Sequence, residues 1–217
     1  MKKFTTLVMG VAAVFALTAC DGLSGKGTKV SEEQFKEKAA AVEEHQYSEA
    51  TIKWSSKEET TLPDMEKLYT TGEIEMKTEK DSDSGETKFT FSNGKWSTED
   101  AKGDSADLVS LLSGNLKDVE LKDLTSEYSA MADQYKVDST INYYVNPLGI
   151  SLTAKGDFDN GSAGSGKLDL SAYMSFDKYG YVTKAEYKVS VTGTGKVGEK
   201  SYSAKMLMQM TATISYK

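Results

Sequence analysis

Tyr202-Ser203-Ala204-Lys205-Met206-Leu207-Met208-Gln209-Met210-Thr211-Ala212-Thr213-Ile214-Ser215-Tyr216 closes the chain with a strict period of two. The alternate positions Tyr202, Ala204, Met206, Met208, Met210, Ala212, Ile214 and Tyr216 carry no charge. Side chains on a strand point to opposite faces in turn, so this pattern predicts one long strand with a buried face. Whatever lies before it has to build a sheet around it.

Reading backwards, Leu168 to Phe176 and Tyr181 to Val191 alternate in the same way, joined by Asp177-Lys178-Tyr179-Gly180. The glycine-rich segment Thr192 to Lys200 reads as the loop into the last strand, and Asp157 to Gly166 as another Gly/Ser/Asp loop. Upstream, Ile141 to Val145 and Ile150, Leu152 and Ala154 are strand-like, with a turn at Asn146-Pro147-Leu148-Gly149. Towards the N-terminus, Ala50, Ile52 and Trp54 alternate with Thr51, Lys53 and Ser55, and Tyr69 to Glu79 alternates through Ile74 and Met76. Thr60 to Lys67, with Pro63, reads as a connection holding a helical turn. Asp81-Ser82-Asp83-Ser84-Gly85 reads as a hairpin turn into Lys88 to Phe91, and Asn93-Gly94 as a tight turn before Lys95-Trp96.

Helical periodicity is confined to two places. Ser31-Glu32-Glu33-Gln34 is a capping box, and Phe35, Ala39 and Val42 share one face of a helix expected over residues 31–45. Leu108, Leu111 and Leu112 recur at helical spacing before Gly114-Asn115 and predict a short helical insertion. Residues 116–132 fit a strand and a second helical piece equally. The expected fold is α+β: a curved antiparallel sheet with an N-terminal helix and a short helical insertion covering one side, in a single domain over residues 30–217.

Composition removes several kinds of chemistry. All 26 basic residues are lysine, so bidentate guanidinium clamps on carboxylate or phosphate are missing. Against them stand 33 acids, a balance that disfavours nucleic acid as a partner. Cys20 is the one cysteine and His45 the one histidine, which leaves no structural cysteine zinc site and little basis for nucleophilic hydrolysis. His45 reads as a cation at a helix end. Gly161-Ser162-Ala163-Gly164-Ser165-Gly166-Lys167 matches a phosphate loop only up to its lysine, since Leu168 stands where Ser or Thr should hold magnesium. The acidic runs at Asp81 and Asp157 lack the ligand set of a calcium loop. No catalytic residue, cofactor or metal site is expected.

The N-terminus is an address. Lys2 and Lys3, the apolar run Leu7 to Leu17 and the small residues Thr18-Ala19 have the order of a secretory signal, too short for a membrane-spanning helix. Leu17-Thr18-Ala19-Cys20 resembles the lipobox of bacterial lipoproteins. The resemblance implies cleavage before Cys20, diacylation of its sulfur, and export to the outer face of the cytoplasmic membrane, in the cell envelope. Loss of residues 1–19 would take Lys2 and Lys3 away and move the formal charge from −7 to −9. Residues 20–29, with three glycines, read as the lipidated flexible tether, with a reach of roughly 15–18 Å.

The order of elements, with the lipobox, the capped helix, the strand Tyr47 to Trp54 and the hairpin Phe176-Asp177-Lys178-Tyr179-Gly180-Tyr181-Val182-Thr183-Lys184, resembles the LolA/LppX-type lipoprotein fold. That fold implies a bent, open half-barrel closed by helices around an apolar cavity that holds lipid or acyl chains. The arginine with which a LolA-type carrier latches its lid has no counterpart here. On this expectation Ile52, Trp54, Met174, Met206, Met208 and Met210 line the cavity and Leu108, Leu111 and Leu112 cover its mouth. Methionine, unbranched and polarizable, suits a surface that accepts flexible apolar ligands. The expected partners are the membrane, through the N-terminal lipid, and a lipid or other hydrophobic ligand. The alternative is an envelope protein engaged by the acidic surface, with the methionines as ordinary core.

Overall fold

The computed structural model describes residues 26–98, 108, 109, 112, 115, 116, 136–159, 165–197 and 199–217. The chain runs β1 (Thr28–Val30), α1 (Glu32–Ala40), β2 (Glu49–Pro63), α2 (Met65–Thr71), β3 (Met76–Ser92), β4 (Lys95–Ser97), β5 (Asp138–Val145), β6 (Leu148–Asp159), β7 (Ser165–Phe176), β8 (Val182–Val197) and β9 (Lys200–Tyr216). All nine strands join one open sheet in the order β1-β5-β6-β7-β8-β9-β2-β3-β4, with every pairing antiparallel. Strands β5 to β9 form a meander, and β9 then pairs back with β2. The final strand therefore lies inside the sheet, with neighbours on both sides. Between Ser201 and Tyr216 its only charge is Lys205, which suits a strand with no open edge.

One face of the sheet is apolar and holds two packed clusters. The larger gathers Phe35 and Ala39 of α1 with Ile52, Phe89, Leu112, Tyr143, Ile150 and Ile214. The smaller is built from Val137, Ala154, Leu168, Leu170, Ala172 and Val189. The opposite face is mostly Ser, Thr, Lys and Glu, with a covered patch where Lys26 lies 5.8 Å and 5.7 Å above the Tyr144 and Tyr173 rings.

The capping box at Ser31 is made: its hydroxyl accepts from the Gln34 amide at 3.2 Å, and the Gln34 side chain accepts from the Ser31 amide, also at 3.2 Å. The helix stops at Ala40 and does not reach His45. Ala41 and Val42 close it with short-range bonds to Lys38 and Ala39, while the His45 ring stacks on Tyr179 at 4.2 Å and draws the chain off the helix axis. Order also begins before Val30, because Thr28 and Lys29, expected in the tether, pair with Val145 and Tyr144.

Five expected loops are shorter or lie elsewhere. Strand β2 continues through the expected connection to Pro63, and Asp64 then caps a helix through the amides of Glu66 and Lys67. Tyr69 is in that helix and not in a strand. Its end is set by Gly72, left-handed at φ 70°, a conformation open to glycine at little cost. The Asp81 to Gly85 run is no turn; it lies in β3, paired with Trp54 to Glu58. Likewise Thr192 to Val197 and Lys200 are strand residues, Asp157 to Asp159 and Ser165 to Lys167 pair across β6 and β7, and the turn after β5 is only Asn146-Pro147.

Two of the misread glycines have one physical cause. Gly85 lies directly across from Trp54, and a Cβ there would come within 2.9 Å of the indole. Gly195 lies across from Tyr202, whose ring fills the space a side chain would take. Both are seats for aromatic rings inside strands, a device that replaces the glycine's missing packing. Asn93-Gly94 is the tight turn expected, with φ of 52° and 75°.

Burial raises the phenol pKa of Tyr143 and of Tyr187 to about 12, with the Glu32 carboxylate adding to the effect at Tyr143. An unfolded chain releases these protons near pH 10. The stability linked to them is thus complete below about pH 10 and is lost as pH rises through about 12. The urea midpoint should stay level up to about pH 9 and then fall in step with tyrosinate absorbance. A midpoint that held level while the tyrosines ionised would mean that these hydroxyls are solvated in the fold.

Candidate functional site

The register places one side chain from each of six strands in a row across the apolar face, and three adjacent rows cross the methionines. The first is Leu152-Ala172-Tyr187-Met210-Ser56-Asp83, the second Ala154-Leu170-Val189-Met208-Glu58-Asp81, and the third Gly156-Leu168-Val191-Met206-Thr60-Glu79. Each row begins apolar on β6, β7 and β8, reaches methionine on β9, and turns polar and then acidic on β2 and β3. A single face therefore changes character across two strand spacings, roughly 10 Å.

Burial follows the same gradient. Ala154 is 0% exposed and Val189 4%, whereas Met206, Met208 and Met210 are half-buried and Asp81 and Asp83 exposed. Met206 packs against the smaller cluster; Met208 and Met210 belong to neither cluster among the described residues. The methionines form a strip between a layer of buried and half-buried apolar side chains and an acidic margin. Thr60 donates to Glu58 at 3.3 Å, and Glu79 pairs with Lys77 at 2.7 Å. Among the described residues no cation pairs with Glu58, Asp81 or Asp83. Lys80, the nearest in sequence, projects from the other face, where it meets Glu59 at 3.1 Å.

The other expected site residues divide between the strip and the packed end. Trp54 is half-buried, one row beyond Met210, in Ile150-Met174-Ala185-Ala212-Trp54-Gly85, so Trp54 adjoins the strip, whereas Met174 lies two strands from it; both pack against the larger cluster. Ile52 is fully buried opposite Ile214 in the larger cluster. Leu112 is also fully buried and Leu108 half-buried, and both pack in that cluster with Phe35, not in the one that holds Met206. Leu111 and Cys20 lie outside the described residues. Glu58, Asp81 and Asp83 had no place in the expected site, because two-sided polar strands carry no hydrophobic period. In the sequence Gly85 reads as a turn signal, and its role as a seat for the Trp54 indole shows only through the register.

A second cluster sits at the β7–β8 turn. Asp177 accepts from the Tyr179 and Tyr181 amides at 2.9 and 3.0 Å through one oxygen, and from the Tyr47 hydroxyl at 2.7 Å through the other. Burial first, and then this bond, hold the Tyr47 phenol proton far above the ordinary range. Tyr181 donates to the His45 carbonyl at 2.8 Å, and the His45, Tyr47, Tyr179, Tyr181 and Tyr216 rings pack on one another. Every polar group named here has a partner, which marks a structural clasp.

Among the described residues, no group of three His, Cys, Asp or Glu side chains is placed to hold a metal ion, and no helix is long and apolar enough to cross a membrane. The chain matches no known protein family, and no curated protein is significantly similar to it in sequence.

Proposed function

We propose that this protein is a lipid-anchored bacterial lipoprotein of the cell envelope, a non-catalytic binder whose methionine strip takes up a lipid or another hydrophobic ligand. The observation that carries the reading is that Met206, Met208 and Met210 stand half-buried side by side where the apolar face gives way to the acidic margin. Three adjacent methionines left partly open are costly in water and useful to an apolar guest, because their unbranched side chains remodel around irregular shapes. Binding is partition, with no covalent step. The sheet is the wall of an open half-barrel of the LolA/LppX type, and Cys20 carries the acyl chains that hold it at the outer face of the cytoplasmic membrane.

Cys20→Ala separates the two halves of this reading. The variant should fold as before and move from the membrane fraction to the soluble fraction. Purified without detergent, it should shift the emission of the neutral dye Nile red to the blue and carry extractable lipid or other apolar material. Introducing Met208→Glu and Met210→Glu should abolish dye uptake with the far-ultraviolet dichroism unchanged. A Cys20→Ala protein that had lost residues 1–19, carried no acyl chain and still stayed on membranes would overturn the anchor; a folded, released protein with neither dye uptake nor bound apolar material would overturn the binding site.

A further inference from the structure

We infer that the ligand of the methionine strip is a polypeptide segment with an apolar face bordered by cations, a basic amphipathic helix. The inference rests on the reading of the strip as a binding surface and adds the identity of what it binds. Its basis is the course of the acidic margin. Asp83 lies in the Met210 row, Glu58 and Asp81 in the Met208 row, and Glu79 in the Met206 row, so carboxylates accompany all three methionine rows. Glu79 is matched by Lys77, while Glu58, Asp81 and Asp83 have no cation paired with them among the described residues.

A single-headed lipid carries its polar group at one end of its chain and would meet this margin at one point at most. A helix meets it throughout. Same-face positions along a strand are roughly 6.6 Å apart. Side chains three or four apart on a helix are about 5–6 Å apart, so a flank of lysines or arginines keeps step with successive rows. From the Trp54 row to the Met206 row the strip spans roughly 20 Å, or nearly four helical turns. The docking mode is a helix laid on an apolar track, with charge complementarity along one side setting its direction.

The test uses the released Cys20→Ala chain in buffer free of lipid and detergent and a helical Leu/Lys peptide of about 18 residues with lysines bordering a leucine face. Its counterpart with Glu in place of Lys, and Nile red, serve as comparisons. The Lys peptide should bind saturably, more weakly as salt is raised, and the Glu peptide should not bind. The isosteric changes Glu58→Gln, Asp81→Asn and Asp83→Asn together should weaken the Lys peptide about tenfold. Nile red uptake should stay the same, which reports an intact strip. Equal binding of both peptides, or an unchanged affinity in the triple variant, would overturn the inference and leave a hydrophobic site standing. Failure of the peptides and the dye alike would overturn both.

Discussion

Phe35→Ala should lower the free energy of unfolding by about 3–5 kcal/mol, the range for removing a fully buried aromatic side chain. Phe35 is 0% exposed, and its ring lies 5.3 Å from that of Tyr143 on β5. Helix α1 has nine residues, too few to hold helical structure on its own, so its place depends on this ring and on Ala39. The loss should therefore appear twice: as a lower urea midpoint and as faster hydrogen exchange at α1 amides, with the β8–β9 ladder less affected. Glu37→Ala on the exposed side of the same helix should change stability by less than about 0.5 kcal/mol. A Phe35→Ala midpoint equal to that of Glu37→Ala would mean that α1 is not anchored through its apolar face.

The parts of this fold that sequence made legible are those with one buried face. The Met206 to Ile214 alternation predicts a strand because water on one side and core on the other impose a period of two; in β9 burial keeps that period at both ends, while from Met206 to Thr211 both faces are half-buried. Ala50, Ile52 and Trp54 carry the same mark. The capping box at Ser31 was legible for a local reason, since both of its partners lie within four residues. Beyond Trp54 the mark fades. Ser56, Glu58 and Thr60 share a face with Ile52, yet they stand at the acidic margin, where no core selects apolar side chains.

Glycine was misleading for a related reason. At Gly72 and Gly94 it supplies a positive φ, as turn rules assume. At Gly85 and Gly195 it leaves room for a ring from the neighbouring strand, and that neighbour is 31 residues away in one case and seven in the other. Residues 83 to 85 look like a turn because nothing local reveals Trp54. The candidate site was half legible for the same reason: its methionines announce themselves by period, and its carboxylates appear only when register brings β2 and β3 alongside β9.

Asp177→Ala should cost about 2–4 kcal/mol, although the residue lies in a turn, where substitutions are usually mild. Its carboxylate accepts three bonds, from the Tyr179 amide at 2.9 Å, the Tyr181 amide at 3.0 Å and the Tyr47 hydroxyl at 2.7 Å. The first two shape the β7–β8 turn; the third reaches 130 residues back along the chain to the segment entering β2. Bonds to an ionised acceptor are the stronger kind, and their loss would leave two half-buried amides and a phenol in search of partners. Asp177→Asn should cost less, since a carbonyl oxygen can still serve the amides while the side-chain NH₂ faces Tyr47. Tyr47→Phe removes only the long-range bond, and about 1–2 kcal/mol is expected. Combined, Asp177→Ala and Tyr47→Phe should destabilise by at least about 1 kcal/mol less than the sum of the single changes, because both delete the same contact. The near-ultraviolet dichroism should fall in each variant as the rings of His45, Tyr179 and Tyr216 lose their common support. Strict additivity in that cycle would show that the Tyr47 bond contributes nothing, and that the turn and the start of β2 are held together by ring packing and the Tyr181–His45 bond.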